Sequence, residues 1–330
     1  MLIFVALTKA DMTKITDYIQ QANGKTLFSI EVIPPVKGNN INELLGNIEP
    51  LMDFKPPFID VTYHREEYIE KPLADGRIQQ IVTRKRPGTI GICASIMHRF
   101  GVDAVPHVLC GGFTKDETED FLMDLHYLGI DNVLVLRGDP AKPYKTFKPK
   151  TNGHAYASEL VEQVVNMNKG QYLHEEVEPL APTGFCIGVA AYPEKHFEAV
   201  DFDTDFDYLK QKVALGADYI VTQMFFDNSK YFDFVQKCRA VGINVPIIPG
   251  LKPLSTKKQL GILPKIFYLH MPQDLVTAVE GCENDAQAKQ VGIEWCTQQC
   301  RELMDFGVPV LHFYTMGKSD NIYKIASNLF

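Results

Sequence analysis

Short runs rich in β-branched and aromatic residues alternate along the chain with longer stretches whose apolar residues recur every three or four positions. The short runs predict strands at Leu27–Ile33, Phe58–Tyr63, Val105–Cys110, Asn132–Leu136, Phe185–Ala190, Tyr219–Gln223, Val245–Pro249 and Val310–Tyr314. The longer stretches predict helices. "TKDETEDFLMDLHYLG" opens on Thr114, places Glu117 at the capping-box spacing and ends at Gly129, and the stretches from Asp205 and Ser229 follow the same plan. "TIGICASIMHRFG", Thr89–Gly101, alternates at its start like a strand, but Ile92, Ile96 and Phe100 recur every four residues and predict a helix. Another helical pattern, Asp11–Ala22, precedes the first strand.

Eight alternations without a low-complexity linker predict one α/β domain over residues 1–330, a (β/α)8 TIM barrel with an extra N-terminal helix. A doubly wound sheet is the competing architecture. Against it, the first strand runs into "PPVKG", and neither G-x-G-x-x-G nor the P-loop pattern occurs in the chain.

Composition narrows the function. A net charge of −8 argues against a partner bound by phosphate neutralisation, so nucleic acid is not expected, and "TRKRPG" at Thr83–Gly88 reads as a solvated loop. The 7 cysteines are odd in number and mostly lie in apolar runs, as expected of small hydrophobes in a reduced, cytoplasmic protein. Cys296 and Cys300 have no metal-ligand pair at suitable spacing, and no metal site is expected. The N-terminal "MLIFVALTKA" lacks the basic start and cleavage pattern of a signal peptide, and no apolar run suits a membrane span.

In α/β barrels chemistry gathers at the C-terminal ends of the strands. Polar residues stand at each such end here: Glu31 within "LFSIEVIPP", Thr62 in "VTYH", His107 in "PHVLC", Arg137 and Asp139 in "LRGDP", then "AAYPEKH", "TQMFF", "IIPGLKP" and "HFYT". Glu31 has two readings: an outward carboxylate paired with a helix cation, or an inward one whose burial raises its pKa and keeps a proton on it, as a general acid requires. Gln223 offers a donor and an acceptor suited to a heterocycle's edge, whereas Phe225 and Phe226 read best as core. "DFDTDFD", Asp201–Asp207, fails the calcium-loop template and reads as helix capping.

Taken in order, "FSIEVIPP", "VTYH", "PHVLC", "LRGDP", "YASELV", "AAYPEKHFEA", "TQMFFD", "IIPGLKP" and "HFYT" closely resemble the catalytic domain of the methylenetetrahydrofolate reductases, in its bacterial form. The resemblance implies an eight-stranded barrel flavoenzyme that uses FAD to pass a hydride from NADH or NADPH to 5,10-methylenetetrahydrofolate by ping-pong kinetics. It implies a homo-oligomer, and no C-terminal regulatory domain. It places Glu31 as general acid and Asp139 beside the flavin ring. Thr62, His107, Leu136, Arg137, Gly138, Asp139, Tyr156, Ala157, Ala190, Tyr192 and His196 match flavin-contacting positions, and Asp205, Tyr208, Gln211 and Lys212 match the helix at the FAD ribose and diphosphate. Glu31, Gln223 and Gln259 match folate-binding positions, with Lys318 where relatives carry Arg, which turns a bidentate grip into a point charge. "NKGQYLHEEVEPLAPTG" before the fifth strand is longer than the resemblance implies. Two alternatives stand beside this reading: a Schiff-base lyase or aldolase built on Lys252, and a barrel that binds folate without catalysis.

Overall fold

The computed structural model describes residues 13–141, 144, 146–174 and 181–330. The apolar N-terminus, the start of the Asp11–Ala22 pattern and part of the long segment before the fifth strand lie outside them.

The strands are β1 (Leu27–Val32), β2 (Phe58–Val61), β3 (Glu67–Pro72), β4 (Ile78–Thr83), β5 (Asp103–Leu109), β6 (Asn132–Leu136), β7 (Cys186–Ala191), β8 (Tyr219–Thr222), β9 (Ile247–Ile248), β10 (Gly250–Leu251) and β11 (Val310–Tyr314). Nine of them form one parallel sheet in the order β10-β11-β1-β2-β5-β6-β7-β8-β9. Its two end strands, β9 and β10, are halves of one strand divided by Pro249. Proline has no N–H to give a ladder, so it splits the strand without ending it. The sheet therefore closes on itself as the eight-stranded barrel the sequence predicts, with every predicted strand present.

Two apolar layers follow from the alternation of side chains. Phe58, Val105, Leu134, Cys186, Tyr219, Val221, Ile248 and Val310 fill the barrel interior. Their outward neighbours, among them Ile30, Ile59, Val133, Val189 and Ile220, pack against the helices. The helix Ile15–Gln21 joins the inner layer through Ile15, fully buried, whose N–H donates to Asn132 Oδ1 at 2.9 Å. Asn132 returns a bond to Thr13 O at 3.0 Å, so the N-terminal end of the barrel is stoppered by a helix held on a strand amide.

Local signals read from the sequence hold in the helices. Thr114 and Glu117 form the reciprocal capping box of the helix Lys115–Tyr127. Thr89–Phe100 is helical. Asp201 caps the helix Phe202–Leu215 through Thr204 N, the capping role expected for "DFDTDFD", although the helix begins before Asp205. Likewise Asp227, two residues ahead of Ser229, caps Asn228–Ala240. Phe225 and Phe226 are buried, the former stacked on Tyr231 at 5.3 Å.

The antiparallel hairpin of β3 and β4 was not predicted. It stands between β2 and the helix Thr89–Phe100, and Tyr68, Ile69, Ile78, Ile81 and Val82 are all exposed. A ribbon solvated on both faces has no apolar alternation to read. Thr83, assigned to the "TRKRPG" loop, is the last residue of β4.

The interior is shaped by pairing large with small. Tyr219, fully buried, lies over Gly188, where a Cβ would sit 2.2 Å from the Tyr219 ring. Tyr314 lies over Gly250 in the same way, its hydroxyl donating to Thr222 O at 2.6 Å. Gly188→Ala should therefore overpack the barrel and cost about 3 kcal/mol or more, read as a drop in urea midpoint at unchanged slope. A loss below about 1 kcal/mol would show that the ring yields freely.

Candidate active site

Parallel register decides which inward side chains meet. Glu31 is aligned with Tyr314 on one neighbouring strand and with Asp60 on the other. Asp60 is aligned in turn with Val105, two residues before His107. Alternation then brings Ser29, Glu31, Asp60, His107 and His312 into the barrel on four neighbouring strands. Glu31 faces this interior, not a helix cation outside, and its side chain is 14% exposed. Thr62 Oγ1 donates to Glu31 Oε1 at 2.8 Å. His107 Nε2 stands 3.5 Å from Glu31 Oε2 and 3.6 Å from Asp60 Oδ2, and Ser29 Oγ lies 2.7 Å from His312 Nδ1.

Desolvation pushes each of the four ionisable groups towards its neutral form. Burial raises the Glu31 pKa, opposed by His107 and the Thr62 hydrogen bond and reinforced by Asp60. Burial raises Asp60 to about 6, against the pull of His312. The same cause lowers both His107 and His312. A carboxyl so placed holds a proton more firmly than one in water, which suits giving it to a basic atom arriving at the rim.

A second group collects at the ends of β6 and β7. Arg137 pairs with Glu198 and lies over the Phe147 ring at 5.0 Å. Leu136 ends β6 half-buried. Gly138 adopts φ +83° and packs on Leu109, turning the chain so that Asp139 projects exposed from the rim. Beyond β7, Tyr192 meets His196 edge to face at 4.7 Å, and the His196 N–H donates to Asp205 Oδ2 at 2.9 Å. Lys212 Nζ donates to Ala190 O at 2.5 Å. Burial lowers Lys212 to about 8, with Asp205 opposing, and lowers His196 to about 4, with Arg137 adding to the fall. Tyr156, just ahead of Ala157 and its helix, stacks on Tyr208 at 6.2 Å. Gln211 is exposed on the same helix as Tyr208 and Lys212.

The remaining predicted residues keep local company. Gln223 continues β8, its N–H on Ala191 O and its Oε1 on Met224 N. Gln259 Oε1 accepts from Ser255 N at 2.6 Å and so closes a turn, leaving its amide nitrogen to donate. Lys318 is exposed on the turn after β11. Lys252 is buried away from Glu31, lining a cleft with Trp295, Cys296 and Gln299. The sequence pattern singled out neither Ser29 nor Asp60, and carried His312 only within "HFYT". In the structure each lies two residues from another inward side chain: Glu31, Thr62 and Tyr314.

A closed α/β barrel with a buried carboxyl at its rim and a separate cleft lined by Lys212 and Asp205 has the layout of a barrel enzyme. Comparison supplies the family. The methylenetetrahydrofolate reductase family model matches residues 14–330, and the chain belongs to that family. The NADH-dependent methylenetetrahydrofolate reductase 1 of Arabidopsis thaliana is 30% identical over 96% of this chain and 50% of its own length. The chain thus spans about half the length of such relatives. The 5,10-methylenetetrahydrofolate reductase of Salmonella typhimurium is 31% identical over 94% of this chain and 93% of its own. A Clostridium thermocellum protein that binds two copies of 5-methyl-5,6,7,8-tetrahydrofolic acid shares the fold, with a TM-score of 0.54 at 15% identity over 94% of this chain and 96% of that one.

The buried acid has a stability consequence. With its pKa raised from 3.8 to about 6, Asp60 favours the fold fully below its unfolded value, and that contribution is lost as pH rises through about 6. Asp60→Asn removes this loss. The stability of the variant relative to the natural chain should therefore improve by roughly 2–4 kcal/mol between about pH 4 and pH 7, measured by urea unfolding at each pH. A difference independent of pH would show that Asp60 does not titrate in this range.

Proposed function

We propose that this chain reduces 5,10-methylenetetrahydrofolate to 5-methyltetrahydrofolate with NADH or NADPH, through a bound FAD and by ping-pong kinetics, with Glu31 as general acid. The observation that carries the reading is the buried Glu31 carboxyl, held at Oε1 by Thr62 and free at Oε2 to keep a proton, in a chain of this family. Opening the folate's imidazolidine ring requires protonation of a leaving nitrogen, which a carboxyl kept neutral by burial can supply.

The residues fit a flavin. Lys212, at the side of a cleft with Ala190, Tyr192 and Asp205, suits a diphosphate, and the exposed Tyr156–Tyr208 stack suits a planar ring. Bound there, a flavin would supply hydride transfer between the nicotinamide and the folate. Thr62, His107, Leu136 and Gly138 would line it, Arg137 and His196 would orient it, and Asp139 would place a negative charge near the ring, favouring a cationic iminium form of the substrate. Gln223, Gln259 and Lys318 complete the folate side in this reading.

Anaerobic visible absorbance tests the whole proposal. Bleaching of the flavin band by NADH or NADPH, then recovery on adding methylenetetrahydrofolate, is the expected record; a colourless protein that stays inert with added FAD would overturn it. Glu31→Gln should leave the first half-reaction nearly intact and slow the second by roughly a hundredfold or more. Equal losses in both would remove Glu31 from the acid's role.

Self-association belongs to the same proposal, with the hairpin as its surface. Strand β4, "IQQIVT", carries no charge and no proline, so antiparallel pairing with its own copy opposes no like charges, whereas β3 carries Glu67, Glu70, Lys71 and Pro72. Sedimentation should show an assembly that Ile81→Lys breaks down. A monomer before substitution, or an assembly unchanged after it, would exclude this edge.

A further inference from the structure

Beneath Glu31 lies more ionisable chemistry than an acid alone requires. Asp60 is 1% exposed, His107 3% and His312 0%, yet both Asp60 oxygens, His107 Nε2 and His312 Nε2 are buried without a hydrogen-bond partner. Buried polar atoms are nearly always satisfied, and four orphans in one nest mark a place where a proton or an enclosed water completes the bonding. One nitrogen, His107 Nε2, faces both carboxylates at 3.5 and 3.6 Å. That spacing lies just beyond hydrogen-bond length, so a small approach lets either carboxyl share a proton with this nitrogen.

We propose that Asp60, His107 and His312 form with Glu31 a proton-sharing cluster that keeps the acid loaded, with Asp60 as its positioning charge. This rests on the function proposed above. When Glu31 gives its proton to the substrate nitrogen, an O–H bond breaks and an N–H bond forms. Once the rim is clear, solvent returns one proton to the cluster; His107 Nε2 accepts it and passes it to Glu31 Oε2, and the ionised Asp60 against His312 favours its staying there. Ser29, on His312 Nδ1, fixes that imidazole's orientation.

The other ionisable groups that face the cluster do not compete for this proton. Cys93 from the helix outside β2, Tyr219 from β8 and Tyr314 from β11 feel the Asp60 charge, and burial raises all three. His64, from the loop after β2, feels His107 and is lowered by burial.

The test is the pH dependence of each half-reaction in the flavin-loaded chain. The carboxylate oxygens that share His107 lie no more than about 7 Å apart, so loss of the Asp60 charge should move the alkaline limb of folate reduction down by about one pH unit in Asp60→Asn, while the NADH half-reaction keeps its profile. A lower rate with an unmoved limb would make Asp60 merely structural and overturn the proposal. If the natural chain fails to reduce the folate at all, the functional reading falls separately. Carboxyl 13C titration without flavin tests the cluster on its own and does not need the Asp60 variant to fold. In Glu31→Gln the Asp60 midpoint should fall relative to the natural chain, and an unchanged midpoint would overturn the sharing.

Discussion

The structure turns on the cost of putting a carboxylate where water cannot reach it. An ionised acid in a closed barrel loses its hydration, and the protein recovers that loss either with a full set of hydrogen bonds or by keeping the proton on. Asp60 receives no hydrogen bond, and at Glu31 the single Thr62 bond and the His107 charge do not outweigh burial. Burial therefore biases both groups towards the second solution, and raises Asp60 to about 6.

The rest of the architecture enforces it. The helix Ile15–Gln21 closes the N-terminal end, and Tyr219 over Gly188 and Tyr314 over Gly250 fill the middle. Access to Glu31 is therefore from the C-terminal rim. The polar layer sits where the apolar interior of Phe58, Val105 and Val310 gives way, one inward residue further along each strand. Strand register supplies the alignment of Glu31 with Asp60, so no loop is needed to bring the pair together.

Much of this was legible because a barrel strand writes its two faces into alternating positions. All eight strands and the capping box at Thr114 follow from periodicity and cap chemistry, whereas Glu31 fitted either face of its strand until the register set it inward. Asp60 and His312 were overlooked for a physical reason. Inside "FIDV" and "VLHFY" a polar residue flanked by apolar ones resembles an ordinary outward position, and only the phase shared with Thr62 or Tyr314 marks it as inward. The hairpin was illegible for the opposite reason, since both of its faces are wet. Gln259 shows a third limit: its place in the sequence suggests a ligand contact, but its carbonyl is taken by the turn at Ser255 and Thr256, a bond that depends on loop geometry no pattern encodes.

The two charged regions of the rim divide the work by sign. Around Glu31 the ionisable groups are driven neutral, and a neutral acid is what proton donation needs. At the ends of β6 and β7 basic and acidic side chains stand together, Arg137 on Glu198 and Lys212 near Asp205, which suits an anionic ligand that exchanges one partner for another. Lys212 is the pivot of that side: lowered to about 8 and bonded to the Ala190 carbonyl, it carries an ammonium whose charge a bound phosphate would stabilise and whose proton an empty cleft holds less firmly. Keeping the anion-binding cation on β7's outer helix and the acid on β1 spares Glu31 a neighbouring lysine, which would strip its proton. In the proposed reaction the separation of Lys212 from Glu31 is therefore a condition for the acid to keep its proton.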